Sequence, residues 1–241
     1  MSRLPASFET KFRSTGETLL VDLEKPRRVL SSAPRGGGFV TARYLLNHQV
    51  EANPVAAPVA AARRRWRDPA RYLGAVARSL GADRRSVGLM TAVPIKQLVV
   101  MRESSGRLWV EGFFTVGVTN AVQAGEPTVS SEGQQVAGTI NVILVTNARL
   151  SASAMVGAVQ VATESKTAVL LSERVPSWTG MPGATGTGTD TVVVACCAPE
   201  TGPMLRYSGT HTKIGELIGR VVRRGVKEGL AKSIRWSKKS S

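Results

Sequence analysis

The alternation of apolar and polar positions divides the chain into strands and helices joined by polar turns. Apolar runs predict strands at residues 17–23, 27–33, 86–92, 95–103, 107–118, 138–147, 190–197 and 204–207. Apolar residues that recur every three to four positions predict helices at residues 39–50, 69–80, 151–171 and 211–234. Consecutive strands followed by strand–helix pairs predict the α+β class, as a single layered domain with a largely antiparallel or mixed sheet packed against helices.

Composition supports one folded domain. We expect residues 1–16 to be irregular, residues 17–230 to form the domain, and residues 231–241 to form a basic tail. A chain of 241 residues that is 42% hydrophobic can bury a sizeable core. Neither a membrane-spanning apolar run nor a secretory signal is present, which predicts a cytoplasmic protein. Cys196 and Cys197 lie in an apolar run, so we expect buried free thiols, as in a reducing compartment.

The formal net charge is +15, and most of the positive charge is concentrated in two segments. Residues 63–85 contain eight arginines and two aspartates, and residues 220–241 contain eight basic side chains and one glutamate. A nucleic-acid-binding protein usually spreads its charge over its main concave surface, so this distribution favours a solvated helix face and a terminal tail. Binding of phosphates or bases by the Arg-rich stretch beside Trp66 stays open as the alternative.

The Gly/Thr-rich loop at residues 184–190 is the first candidate for chemistry. The threonine hydroxyl groups can donate to an amide oxygen or act as a nucleophile, and the glycines allow close approach of the backbone. The residues concerned are Thr185, Gly186, Thr187 and Gly188. Asp190 ends this loop. Its carboxylate either orients His211 or a water molecule, or fixes the loop through Asx-type hydrogen bonds.

Other candidates lie at helix starts and strand ends. His211 is placed at a helix start, where it is either a neutral base or a capping residue. Glu216 lies at the edge of the apolar stripe of the same helix and is either partnered or functional. Glu164 and Lys166 lie within a helix, as a solvated face or as a buried pair.

Three further groups complete the candidate set. Gly37 and Gly38 form a turn between a predicted strand and a predicted helix, where backbone N–H groups can face an anion or a carbonyl. Asn120 closes one predicted strand and Asn141 starts another. The histidines and cysteines do not have the spacing of a metal site, so neither a metal nor any other cofactor is predicted.

The order of these motifs resembles the adenosylcobinamide amidohydrolases (CbiZ). The matching stretches are VLSSAPRGGG with its downstream LLNHQV, VGVTNA, the run from GTINVILVTN to ESKTAVLL, ATGTGTDTVVV, and YSGTHTKIGELIGRVV. Together they cover roughly residues 17–230. The resemblance implies a hydrolase that cleaves the amide joining aminopropanol to the corrin side chain of adenosylcobinamide. The product would be adenosylcobyric acid, and the role would be corrinoid salvage.

The chemistry of the candidate residues is compatible with this reaction and predicts a site. His211 or Glu216 is the expected base, with Asp190 orienting it and with Thr187, Asn120 or Asn141 donating to the carbonyl oxygen. The expected substrate-binding residues are Asn120, Asn141, Thr185, Gly186, Gly188, Gly37, Gly38, Glu164 and Lys166. The corrinoid is then a substrate and not a cofactor. A corrinoid-binding module without hydrolysis, or a basic nucleic-acid-binding protein, are the alternatives.

Overall fold

Three helices and one large sheet form the described part of the chain. The computed structural model describes residues 8–50, 68–82, 85–127, 138–197 and 203–240. The helices are α1 (Pro69–Ser79), α2 (Ala152–Ser172) and α3 (Lys213–Ser240), and a short 3-10 turn covers Ile95–Gln97. The strands are β1 (Lys11–Thr15), β2 (Thr18–Ser31), β3 (Gly38–Gln49), β4 (Ser86–Thr91), β5 (Val99–Ser105), β6 (Leu108–Val116), β7 (Ala121–Val122), β8 (Ile140–Thr146), β9 (Arg149–Leu150), β10 (Gly186–Thr187), β11 (Thr191–Ala195) and β12 (Met204–Leu205).

The main sheet is mixed. Its strand order is β4-β3-β2-β11-β8-β6-β5, and β1 pairs with the first half of β2. The β3/β4 and β8/β11 pairs are parallel, whereas the other pairs of this sheet are antiparallel. Two small pairs, β7/β10 and β9/β12, lie at its margins. These features confirm the predicted α+β class with a mixed sheet.

The sheet folds over so that its two halves face each other. Asn47 on β3 donates from Nδ2 to Thr115 Oγ1 on β6 (2.9 Å), although these strands are four places apart in the sheet. Four strand spacings would separate them by about 19 Å in a flat sheet. Asn141 Nδ2 on β8 also donates to Met90 O on β4 (2.8 Å) and to Asn47 Oδ1 (2.9 Å). A buried amide network therefore joins the two halves.

Three apolar clusters define four layers. The largest packs α2 and α3 against the outer face of β6, β8 and β11 and includes the fully buried Phe114. The second lies between the two halves of the sheet and includes Phe113, Leu45 and Val193. The third packs α1 on the outer face of β2 and β3. The order of layers is therefore helices, half-sheet, half-sheet, helix.

Most predicted elements are confirmed, but residues 39–50 form a strand and not a helix, so that prediction was wrong. This stretch is β3, and it is covered by α1 on one face and by the facing half-sheet on the other. Apolar residues therefore occur on both faces of β3 and do not alternate with polar ones, so their spacing resembles that of a helix. His48 was expected at a helix end. It lies instead on β3, between Thr18 Oγ1 (2.7 Å) and Tyr72 OH (2.8 Å).

Differences at the start of the chain have local causes. The two strands predicted at 17–23 and 27–33 are one strand, β2, which carries an irregularity between Asp22 and Arg27. Glu24 adopts a positive φ of 63° there. Residues 11–15, expected to be irregular, pair with β2 as β1. The strand predicted at 95–103 begins only at Val99, after the 3-10 turn.

Basic residues of α3 are engaged in ion pairs on several surfaces. Arg224 pairs with Glu103 on β5, and Lys227 Nζ lies 2.9 Å from Glu173 Oε1 at the end of α2. Lys232 Nζ lies 3.6 Å from Glu228 Oε1 and donates to Leu98 O (3.0 Å). Arg224 and Lys227 remain largely exposed, as on a solvated helix face, and exposed ion pairs of this kind contribute little to stability. The Arg-rich stretch at 63–67 lies outside the described residues.

We expect Asn47→Ala to destabilise the fold by about 2 kcal/mol or more, because it removes partners from Thr115 and Asn141 while both remain buried. Urea unfolding monitored by circular dichroism measures the free energy of unfolding. Gln160→Ala, on the exposed face of α2, is the control and should change that free energy by less than about 0.5 kcal/mol. Equal effects of the two substitutions would contradict a structural role for the amide network.

Candidate active site

One edge of the sheet collects most of the predicted polar residues. The parallel strands β8 and β11 both begin at this edge, and Asp190 directly precedes β11. β2 ends there, because Ser32 N donates to Val192 O (3.1 Å) and Val192 N donates to Ser32 Oγ (3.1 Å). β6 is antiparallel to β8, so the segment 117–122 that follows β6 lies at the same edge.

Asp190 is the centre of this edge. Its Oδ1 accepts hydrogen bonds from Thr187 Oγ1 (2.5 Å) and from Ile140 N (3.0 Å). Its Oδ2 accepts from Thr187 N (3.1 Å) and from Lys166 Nζ. Each oxygen thus has two donors, which fills the usual acceptor capacity of a carboxylate. Asp190 therefore joins the Gly/Thr-rich loop, the start of β8 and the helix α2.

Lys166 reaches this carboxylate from the buried face of α2. Its side chain is 8% exposed and that of Asp190 is 14% exposed, so the ion pair is largely removed from water. A pair in this setting is held by its geometry and by additional hydrogen bonds, since desolvation opposes it. The predicted neighbour Glu164 is exposed on the other side of the helix. The buried pair suspected at Glu164 and Lys166 is therefore formed by Lys166 with Asp190.

Two glycines make room for this cluster. A Cβ at Gly186 would lie 2.5 Å from Asp190 Oδ2 and 2.6 Å from Lys166 Nζ. A Cβ at Gly138 would overlap Asn120 Oδ1 and would lie 2.8 Å from Thr119 Oγ1. All these distances are shorter than those that real Cβ atoms show. A larger residue at Gly186 or Gly138 would therefore require the neighbouring side chains to move.

Thr187 lies on β10 of the small β7/β10 pair, and Asn120 directly precedes β7. Thr187 is the register partner of Ala121, so Asn120 is one residue removed from the strand position opposite it. Asn120 Oδ1 is buried and has no hydrogen-bond partner among the described residues. Leaving a buried polar atom unpaired is costly, so Asn120 Oδ1 lacks a partner that the described residues do not supply. The structure therefore brings Asn120, Thr187, Asp190 and Lys166 together.

The remaining loop residues hold the loop in place. Thr185 Oγ1 accepts from Ala124 N (2.8 Å), and Thr185 O accepts from Thr167 Oγ1 on α2 (2.9 Å). Gly188 has open space where a Cβ would be. Gly37 and Gly38 also lie at this edge, because Gly38 pairs with Ser31 at the end of β2.

Asn141 lies directly behind the cluster and is only 1% exposed. Its side-chain amide is used by the network that joins the two halves of the sheet. It therefore supports the start of β8 and is not placed to donate to a substrate. Asn47, the partner of Asn141, was missed because it lies 94 residues away in the stretch predicted as a helix.

A reciprocal contact between two strand starts was also missed. Thr139 Oγ1 donates to Thr189 O (2.9 Å), and Thr189 Oγ1 donates to Gly138 O (3.1 Å). The Gly-Thr dipeptide that precedes both β8 and β11 is the sequence signal for it. These bonds fix the loop before β11 against the loop before β8.

His211 lies at the opposite edge of the sheet. It follows β12, which pairs with β9 beyond the far end of β8. Ser208 Oγ donates to Ala154 O (2.6 Å) in the first turn of α2, about 18 Å along the helix axis from Lys166. His211 itself is exposed, and its imidazole is not among the groups that contact Asp190 in the described structure. The structure therefore does not bring His211 and Asp190 together.

Glu216 is engaged by two cations on α3. Lys213 Nζ lies 2.5 Å from Oε2, and Arg220 Nη2 lies 2.6 Å from Oε1. The hydrogen bond from Lys213 holds the pKa of the Glu216 carboxyl below its usual range, and the charge of Arg220 acts in the same direction. Glu216 is therefore held by charged partners on its own helix.

Neither a metal cluster nor a membrane-spanning helix is found in the described residues. Among them, three or more His, Cys, Asp or Glu side chains never converge as potential metal ligands. None of their helices has the length and apolar character needed to cross a membrane. Neither Cys196 nor Cys197 forms a disulfide; the first is buried and the second is half-buried.

The described structure is thus a mixed α/β domain with a carboxylate, hydroxyl, amide and ammonium cluster at one sheet edge. The family model of the adenosylcobinamide amidohydrolases matches residues 2–238. An adenosylcobinamide amidohydrolase of Methanosarcina mazei is 33% identical over 204 residues, which cover 80% of this chain and 86% of that protein. The chain belongs to the adenosylcobinamide amidohydrolase family.

Three further proteins are similar to this chain. An uncharacterized protein of Methanocaldococcus jannaschii is 32% identical over 235 residues, which cover 90% of this chain and 86% of that protein. Among solved structures, a β-aminopeptidase of a Burkholderia species has a TM-score of 0.41 at 11% identity and covers 93% of this chain and 82% of its own. The PH0078 protein of Pyrococcus horikoshii has a TM-score of 0.40 at 11% identity, with 93% and 79% covered. Likenesses this weak carry no argument about activity.

We expect Lys166→Met to lower the free energy of unfolding by about 3 kcal/mol, because it leaves a largely buried Asp190 carboxylate without its cation. Urea unfolding measures the change. The double variant Lys166→Met/Asp190→Asn should regain part of the loss, since no buried charge remains. Lys11→Met is the matched control, because its pair with Glu24 is exposed and contributes little. A loss no larger than that of the control would contradict a buried ion pair.

Proposed function

We propose that this chain hydrolyses the amide bond between aminopropanol and the corrin side chain of adenosylcobinamide. The products are aminopropanol and adenosylcobyric acid, which returns an incomplete corrinoid to cobamide synthesis. The family match across residues 2–238 is the observation that carries the proposal. The cluster around Asp190 supports it, because amide hydrolysis needs a proton acceptor, a nucleophile and groups that orient the amide.

Thr187 is the nucleophile in this proposal. Its hydroxyl donates to Asp190 Oδ1 at 2.5 Å, and it is the only hydroxyl among the described donors to that carboxylate. With each carboxylate oxygen accepting two hydrogen bonds, Asp190 is better placed to take the proton of Thr187 than that of an added water. Lys166 and Ile140 N hold the carboxylate in the orientation that this transfer requires.

The reaction then proceeds in two steps. Thr187 Oγ1 bonds to the amide carbon while its proton passes to Asp190, and the carbon–nitrogen bond breaks as the amine takes that proton and leaves as aminopropanol. This leaves the corrinoid attached to Thr187 through an ester. A water molecule then attacks the ester carbon, its proton returns by way of Asp190 to Thr187 Oγ1, and adenosylcobyric acid is released.

Asn120 orients the amide in this scheme. Its buried Oδ1, unpaired among the described residues, accepts the N–H of the amide that is to be cleaved. This assigns a partner to an atom that otherwise bears the cost of burial without a hydrogen bond. The position of Asn120 beside the strand partner of Thr187 suits this role, since the amide nitrogen and the attacked carbon are adjacent atoms.

The activity is tested by incubating the purified protein with adenosylcobinamide and following adenosylcobyric acid and aminopropanol by mass spectrometry. Formation of both products is the expected result. Tight corrinoid binding without release of aminopropanol would select the non-catalytic binding module. Turnover that is insensitive to salt would count against a function that depends on the two basic segments.

We expect Thr187→Ala and Asp190→Asn each to lower kcat by at least about 100-fold, because one removes the nucleophile and the other its base. Thr187→Ser should keep measurable activity, since a hydroxyl remains. His211→Ala, at the opposite sheet edge, should stay within about threefold of the unchanged protein, because it contacts none of these groups. Steady-state kinetics with adenosylcobinamide provide the measurement. A loss for His211→Ala as large as that for Asp190→Asn would restore the histidine as the base.

We expect Gly186→Ala to lower kcat by at least about tenfold with a smaller effect on stability, because the added methyl displaces the ends of two side chains and not the backbone. Kinetics and urea unfolding of the same preparation separate the two effects. Gly209→Ala, where a Cβ meets open space at the opposite edge, is the matched control. Equal kcat values for the two variants would show that catalysis does not depend on the Lys166–Asp190 geometry.

A further inference from the structure

A closed turn at residues 176–182 presents two large apolar side chains to solvent. Trp178 is 51% exposed and Met181 is 61% exposed. The turn is fixed by backbone hydrogen bonds from Ser177 N to Met181 O (2.8 Å) and from Gly180 N to Ser177 O (2.9 Å), and by a bridge between Pro176 and Pro182. The exposed side chains are therefore held on a defined support.

This turn is attached directly to the candidate active site. Trp178 N donates to Ala121 O (2.7 Å), and Ala121 is the register partner of Thr187. Neighbours of this kind place the Cα of Trp178 within about 11 Å of the Cα of Thr187. Thr179 Oγ1 also donates to Glu126 Oε1 (3.3 Å), which ties the turn to the segment that follows Asn120.

Other exposed aromatic side chains have different surroundings. Phe8 and Phe12 contact each other, and Phe12 packs on Phe113. Phe39 lies beside the guanidinium of Arg28. Tyr207 is 76% exposed, but it belongs to the segment before α3, at the edge opposite Asp190. Among these exposed aromatic residues, Trp178 is the one whose backbone is hydrogen-bonded to the register partner of Thr187.

We propose that Trp178, together with Met181, forms the platform on which the flat face of the corrin ring rests while a side chain of the ring reaches Thr187. This inference rests on the proposed function. The corrin ring is large and flat and carries its amides at the rim. An aromatic side chain offers a matching flat surface with few rotamers to immobilise, and the flexible thioether of Met181 adapts to an irregular outline.

The platform explains how the site selects a macrocycle and not a simple amide. The cluster around Asp190 contacts only the atoms that react, and a small amide could enter it equally well. Contact with the ring beside the reacting bond supplies binding energy that is available only to a corrinoid. Trp178 is therefore a specificity-determining residue, whose loss weakens binding and leaves the chemical step intact.

Binding is tested with adenosylcobinamide and the Thr187→Ala protein, so that hydrolysis does not interfere. Equilibrium dialysis, followed by the visible absorbance of the corrinoid, gives the Kd. Adding Trp178→Ala should raise the Kd about tenfold, and adding Trp178→Phe should raise it less because a smaller ring remains. Tyr207→Ala is the matched control for loss of an exposed aromatic side chain and should leave the Kd unchanged. Circular dichroism confirms that each variant is folded.

The outcomes separate this inference from the proposed function. The platform would be overturned if Trp178→Ala and Tyr207→Ala, each added to the Thr187→Ala protein, gave equal Kd values. It would also be overturned if the Thr187→Ala protein did not bind adenosylcobinamide at all. In the otherwise unchanged protein, Trp178→Ala should raise KM about tenfold with little change in kcat. Turnover with an unchanged KM would refute the platform while the amidase activity stands. If binding depends on Trp178 but the unchanged protein does not hydrolyse adenosylcobinamide, the amidase activity is refuted while the platform stands.

Discussion

The buried ion pair between Lys166 and Asp190 is the contact on which the candidate site depends. Two charges removed from water are tolerated only when further hydrogen bonds complete their partners, and here those bonds come from Thr187 and from the backbone of Ile140. The helix α2, the Gly/Thr-rich loop and the start of β8 are therefore positioned together. The absence of a side chain at Gly186 is part of the same constraint, because a methyl group there would displace the ends of both side chains.

The scaffold behind this pair is built around a second set of buried polar groups. The sheet folds over, and Asn47, Thr115 and Asn141 satisfy one another between its two halves. Asn141 follows Ile140, whose N–H binds Asp190, so the interior network and the surface cluster share adjacent residues of β8. The orientation of the reactive groups therefore depends more on the buried network and on backbone contacts than on the loop itself.

Sequence patterns predicted the elements that have one buried face. Each of the three helices has an apolar side packed on the sheet and was predicted within a few residues at its start, and β8 and β11 were apparent as continuous apolar runs. β3 was missed because α1 covers one of its faces and the opposite half-sheet covers the other, which removes the two-residue period of a strand. Its identity depends on contacts with residues far away in the chain.

The sequence by itself determined the family resemblance, the α+β class and the importance of the loop that ends at Asp190. Only the tertiary structure decided which partner that carboxylate takes. His211 and Lys166 are separated from Asp190 by similar lengths of chain, so spacing could not distinguish them. The difference arises from the direction of the elements. α2 runs back along the sheet and brings Lys166 to the edge where β8 and β11 begin, whereas α3 starts beside β12 and leaves His211 at the other edge.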